Sequence, residues 1–83
     1  MNGTNIVLYQ TPWCGYCARV RHALAGLGLD YEIVNVPNAQ NDRTDLKAIF
    51  GVTGVPSMTD GDAKIADDDD AIIAYLYEKY GTR

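Results

Sequence analysis

The chain has 83 residues, seven basic against eleven acidic side chains, and 47% apolar types. One small domain fits that length, and the apolar fraction is too high for a disordered segment. A net charge of −4 argues against nucleic acid as partner, because phosphate binding needs clustered Lys and Arg. No run approaches the roughly eighteen consecutive apolar residues of a membrane span, and Met1-Asn2-Gly3-Thr4 lacks the start of a secretory signal. A soluble, cytoplasmic chain is expected. Nine of the eleven acids are Asp and only three residues are Lys, a bias that suits a salt-rich cytoplasm and equally arises by chance in a short chain.

In chain order, Ile6-Val7-Leu8-Tyr9 is a short β-branched, apolar run, the pattern of a strand buried on both faces, over about residues 5–10. After Thr11-Pro12-Trp13, Val20, Leu24 and Leu27 recur at helical spacing, with Gly26 and Gly28 as the stop. Tyr31-Glu32-Ile33-Val34-Asn35-Val36 returns to strand character and ends at Pro37-Asn38. Strand, helix and strand in this order form a βαβ unit with parallel strands and a right-handed crossover. Leu46, Ile49 and Phe50 mark a short helix from about Asp42, closed by Gly51. Residues 52–56 form a loop. Ser57-Met58-Thr59 and Ala63-Lys64-Ile65 flank the turn Asp60-Gly61-Asp62 as an antiparallel hairpin. Ile72, Ile73, Leu76, Tyr77 and Tyr80 form the apolar face of a last helix. The sum is an α/β fold of order β-α-β-α-β-β-α, with helices on both faces of a mixed four-stranded sheet.

Two cysteines are too few to staple a secreted scaffold or to close a structural zinc site by sulfur. Both fall in Cys14-Gly15-Tyr16-Cys17, behind the first strand and at the start of the first helix. A thiolate at a helix N-terminus is stabilised by unpaired backbone N–H groups and the positive end of the helix dipole. Cys14 is therefore expected to attack. Cys17, a turn deeper, is expected to stay protonated and to resolve the mixed disulfide.

The strand, the Cys-x-x-Cys at a helix start and the later Val55-Pro56 together resemble the glutaredoxin family of the thioredoxin superfamily, over nearly the whole chain. Trp13-Cys14-Gly15-Tyr16-Cys17 is similar to mycoredoxin-type members, and Asp68-Asp69-Asp70-Ala71-Ile72 has some similarity to glutathione-transferase N-terminal domains. The resemblance implies a thioredoxin-like single domain over residues 1–83, a cis Val55–Pro56 bond presenting backbone groups to the substrate, and Tyr16 as one wall of the ligand cleft. It implies thiol–disulfide oxidoreductase activity with no tightly bound cofactor. Glutathione, mycothiol or γ-glutamylcysteine would donate electrons, with client disulfide proteins and a thioredoxin-reductase-type enzyme as further partners of a monomer. The ligand's ammonium falls to Asp69 first and Asp70 second, its far carboxylate to Arg43. The family's usual cation three residues before the first Cys is Thr11 here, and its Arg-Thr-Val-Pro is Thr53-Gly54-Val55-Pro56.

Plainer readings stand beside these. The Cys pair would be idle or half a zinc site, though His22 is the only other soft ligand and sits five residues beyond Cys17, as a solvated surface residue. The run from Asp67 to Asp70 is accounted for equally by helix capping, and its four side chains point too differently for calcium. Trp13 is either a docking surface or a packed rim residue. Tyr75, Tyr77 and Tyr80 read as core and rim. A second function class is a non-catalytic thiol-binding module, or one that bridges a [2Fe–2S] cluster through Cys14.

Overall fold

The computed structural model describes residues 3–81. Its elements are β1 (Ile6–Gln10), α1 (Gly15–Gly26), β2 (Glu32–Asn35), a single 3-10 turn (Gln40–Asp42), α2 (Thr44–Phe50), β3 (Ser57–Asp60), β4 (Ala63–Ile65) and α3 (Asp69–Tyr80). The strands lie in the order β2-β1-β3-β4. β1 pairs parallel with β2 and antiparallel with β3, and β3 pairs antiparallel with β4. This is the mixed sheet expected from the sequence, with the βαβ unit at one side and the hairpin at the other.

The core forms where α1 and α3 lie on one sheet face. Ile6, Leu8 and Met58 from the strands meet Val20, Ala23 and Leu24 of α1 and Ile72 and Leu76 of α3. In register, Leu8 stands beside Met58, so period-two alternation carries one apolar row across neighbouring strands. The other face differs from expectation. Val7 and Tyr9 are half-buried rather than buried. The reason is the length of α2: its seven residues cover one end of that face, where Phe50 meets the Tyr9 ring edge-on with centroids 5.5 Å apart.

Asp60 belongs to β3 rather than to the turn. Its partner across the hairpin is Ala63, which leaves Gly61-Asp62 as a two-residue loop, and the φ of 62° at Gly61 is a value glycine adopts at no steric cost. The register points the Asp60 side chain, 3% exposed, at the end of α3. There its Oδ2 accepts hydrogen bonds from Tyr75 Oη (2.8 Å), Tyr80 Oη (2.7 Å) and Lys79 Nζ (3.0 Å). Burial pushes this carboxyl up, but the donors of Tyr80, Tyr75 and Lys79 overcome it and hold the group below its ordinary range. Burial and the Asp60 carboxylate push both tyrosines up, and the hydrogen bond to Asp60 pushes Lys79 up.

The cluster therefore ties the last turn of α3 to the hairpin across neutral pH. Asp60→Asn removes the charge that three donors share and is expected to lower the unfolding free energy by about 2 kcal/mol. In the native chain this contribution is lost as pH falls from 3.8, the ordinary carboxyl value, through the depressed folded one. At the alkaline end it is lost as pH rises beyond 10.0, the ordinary tyrosine value. Urea unfolding at pH 2.5, 7 and 11 checks both limbs, and Asp60→Asn should flatten the acid one.

Candidate active site

Thr11-Pro12-Trp13-Cys14 turns the chain from β1 into α1, closed by a bond from the Cys14 N–H to the Thr11 carbonyl at 3.2 Å. Pro12 suits the first inner position of such a turn. Cys14 then serves as N-cap: its Sγ accepts the Cys17 N–H at 3.3 Å. The Cys14 sulfur is thus held by a donor that the helix start leaves unpaired, as the position in sequence suggested.

Cys14 is half-buried, whereas Cys17 is fully buried. Burial, together with the hydrogen bond its thiol makes to Cys14, pushes Cys17 up to about 12. A backbone hydrogen bond at Thr11 and the charge of Arg21 act in the opposite direction. Identical side chains three positions apart therefore occupy opposite surroundings, one at a solvent-reached helix start and the other in the core.

Cys14 opens onto a cavity of about 410 Å³ walled by Thr11, Arg43, Thr53, Gly54, Val55 and Asp67, among others. A second recess of about 410 Å³ shares Gln40, Arg43 and Thr53 and ends at Lys47. The Val55–Pro56 peptide is cis. Pro56 is buried and Val55 lines the cavity. Trp13 and Tyr16, on either side of Cys14 in the sequence, are 71% and 65% exposed, and the Trp13 indole N–H reaches Asn38 Oδ1 at 3.2 Å. His22 is exposed on α1.

Arg43 borders the cavity but is 7% exposed. Its guanidinium donates to the carbonyls of Pro37 (2.7 Å), Thr53 (2.9 Å) and Asn38 (3.0 Å). Three of its five N–H groups hold the loops on either side of α2 together, so its first task is to build the wall.

The acidic run divides by position. Asp68 caps α3 by accepting the Ala71 N–H at 3.0 Å. Asp69 and Asp70 both pair with Arg19 of α1, Asp70 at 2.8 Å, and neither lines the cavity beside Cys14. The carboxylate that does line it is Asp67, which sequence reading left among the capping residues. Asp67 has a φ of 51°, and its N–H donates to Ser57 Oγ at 2.9 Å. The fully buried Ser57 hydroxyl in turn donates to the Gly54 carbonyl at 3.0 Å. No periodicity marks Asp67 or Ser57 beforehand; the one usable signal was Ser57 directly after Val55-Pro56.

Residues 8–83 match the family model described as glutathione S-transferase, N-terminal domain. The chain belongs to this family. Within it, the chain is 48% identical over 71 residues to glutathione S-transferase Z1 of Arabidopsis thaliana, covering 82% of this chain and 32% of that protein. It is 31% identical over 65 residues to a glutaredoxin of Pseudomonas aeruginosa, covering 78% and 77%. A solved glutathione transferase homolog from Drosophila mojavensis, with bound glutathione, superposes with a TM-score of 0.79 at 37% identity, over 95% of this chain and 36% of that one. The chain spans about a third of the length of these transferases. It is a glutaredoxin-like member of the thioredoxin superfamily, with the thioredoxin-like fold of a transferase N-terminal domain and a thiol-related function. Among the described residues no helix is long and apolar enough to cross a membrane.

Gly54 lies against the Asp67 side chain in the wall of the cavity. A Cβ there would overlap the Asp67 carboxylate, so Gly54→Ala should cost about 1–2 kcal/mol. In an Asp67→Ala background the same change should cost less than half as much. A urea double-mutant cycle reads the coupling.

Proposed function

We propose that this chain catalyses thiol–disulfide exchange through Cys14 and Cys17. The observation that carries the reading is the contrast between the two sulfurs: Cys14 Sγ at the helix N-cap on a cavity, Cys17 fully buried with its thiol pushed up to about 12. Cys14 as thiolate attacks one sulfur of a disulfide RSSR′, forming a Cys14–SR mixed disulfide and expelling R′S⁻. Cys17 then gives up its proton, attacks the Cys14 sulfur and expels RS⁻, leaving a Cys14–Cys17 disulfide. Two molecules of a small thiol restore the dithiol and leave as their own disulfide, with no metal or organic cofactor in the cycle. The glutathione named with the Drosophila mojavensis homolog supports glutathione as that thiol, beside mycothiol and γ-glutamylcysteine.

The cavity supports a zwitterionic ligand. Asp67 offers a carboxylate to a ligand ammonium on one wall, while Arg43 and, further out, Lys47 offer positive charge to a carboxylate. Val55 presents its backbone to the ligand, and Trp13 and Tyr16 form the apolar rim over which a client disulfide approaches. Asp69 and Asp70, already paired with Arg19, act on the ligand from the second rank by fixing the start of α3.

Cys14→Ser is expected to lower reduction of a glutathionylated peptide at least a hundredfold, while Cys17→Ser keeps activity on that mixed disulfide and loses it on protein disulfides. Coupled assays with glutathione, mycothiol, γ-glutamylcysteine or a thioredoxin-reductase-type enzyme as reductant identify the donor. Equal loss in both variants on the mixed disulfide would count against a monothiol route, whereas an active Cys14→Ser, or a Cys17→Ser that keeps full activity on protein disulfides, would overturn the dithiol route.

A further inference from the structure

Resting on the dithiol reading above, we infer that Arg21, held by Gln10, is the positioning residue that supplies counter-charge to the Cys17 sulfur when it becomes the resolving thiolate. Cys17 has no water to stabilise its anion, being 0% exposed. Arg21 lies four residues further along α1, the spacing that stacks two side chains on one helix face. It is half-buried, and its Nη1 donates to Gln10 Oε1.

Gln10 is the last residue of β1, 4% exposed and adjacent to the turn under Cys17. Its amide has no freedom to turn away, because Nε2 donates to Asn35 Oδ1 at 2.8 Å. The chain Asn35–Gln10–Arg21 thus anchors a cation against the end of the sheet. Among the described residues no carboxylate pairs with Arg21; the ion pairs involve Arg19 and Lys79. A half-buried guanidinium whose fixed partner is a neutral amide keeps its full charge available to a neighbouring anion. The charge of Arg21 favours ionised Cys17 against the burial that opposes it. In the exchange, Cys17 gives up its proton to the departing thiolate, its sulfur bonds to Cys14 as the Cys14–SR bond breaks, and the thiol leaves; Arg21 changes neither its protonation nor its bonding.

The aromatic disulfide 5,5′-dithiobis(2-nitrobenzoate) separates the two steps. Attack by Cys14 releases one coloured thiolate, and resolution by Cys17 releases the second. Arg21→Gln is expected to slow the second release about three- to fourfold. This is the yield of a tenfold smaller thiolate population once rising nucleophilicity offsets part of it, with a Brønsted slope of about 0.4–0.5. Arg21→Lys, which keeps the charge, should stay within about twofold of the native rate, and Gln10→Met should fall between. The effect of Arg21→Gln should vanish in a Cys17→Ser background, where only the first release remains. An unchanged second release in Arg21→Gln, or equal slowing by Gln and Lys, overturns the role of Arg21 and leaves the dithiol route intact. Absence of a second release in the native chain overturns the dithiol route itself.

Discussion

Arg43 is the constraint around which the site is built. Burying a guanidinium is tolerable only when its N–H groups find acceptors, and here three backbone carbonyls supply them from segments that are far apart in sequence. Pro37 and Asn38 follow β2, and Thr53 precedes the Val55–Pro56 bond. The arginine thereby fixes the distance between the end of the βαβ unit and the start of the hairpin. The Cys14 cavity lies in that interval, so its width is set by the same charge that borders it. Leaving those carbonyls unpaired in a nearly dry position would open the loops before it disturbed the sheet.

Elements defined by periodicity were legible in the sequence. The β1 run, the helical spacing of Val20 and Leu24, and the apolar face of α3 required only side-chain pattern, and the structure has them, except that Tyr77 of that face is exposed. The full burial expected of β1 failed because pattern reports what a strand tolerates, while cover depends on the length of the opposing helix. α2 is too short to supply it. Asp60 escaped for a related reason. An acid beside glycine reads as a turn residue, and only the register with Ala63 reveals that its side chain faces Tyr75 and Tyr80.

The four consecutive aspartates show where local reading stops. Each is the same residue type in the same charge run, yet one lines a cavity, one caps a helix and two pair with α1. What separates them is backbone direction. The positive φ at Asp67 turns the chain sharply before α3, so its side chain leaves on the cavity side while the following three enter the helix. Composition cannot encode that turn. Ser57 encodes it, by accepting the Asp67 N–H while donating to Gly54, a contact across ten residues that no window of sequence contains.

The two cysteines stand at the other extreme. Their different surroundings follow from helix geometry alone, because a residue at the N-cap borders the loop while the one three positions later points under the first turn. In the proposed exchange this spacing suits Cys14 to attack and Cys17 to resolution, but it leaves the resolving step with an energetic difficulty. The burial that protects Cys17 from premature reaction also opposes the ionisation it needs. A cation in the right place relieves the second effect without undoing the first, provided that it is partly withdrawn from water and not neutralised. Arg21 meets both conditions only because Gln10, a polar residue at the buried end of an otherwise apolar strand, gives it an uncharged partner. The polar residue that interrupts the β1 pattern is thus the one that connects the sheet to the chemistry.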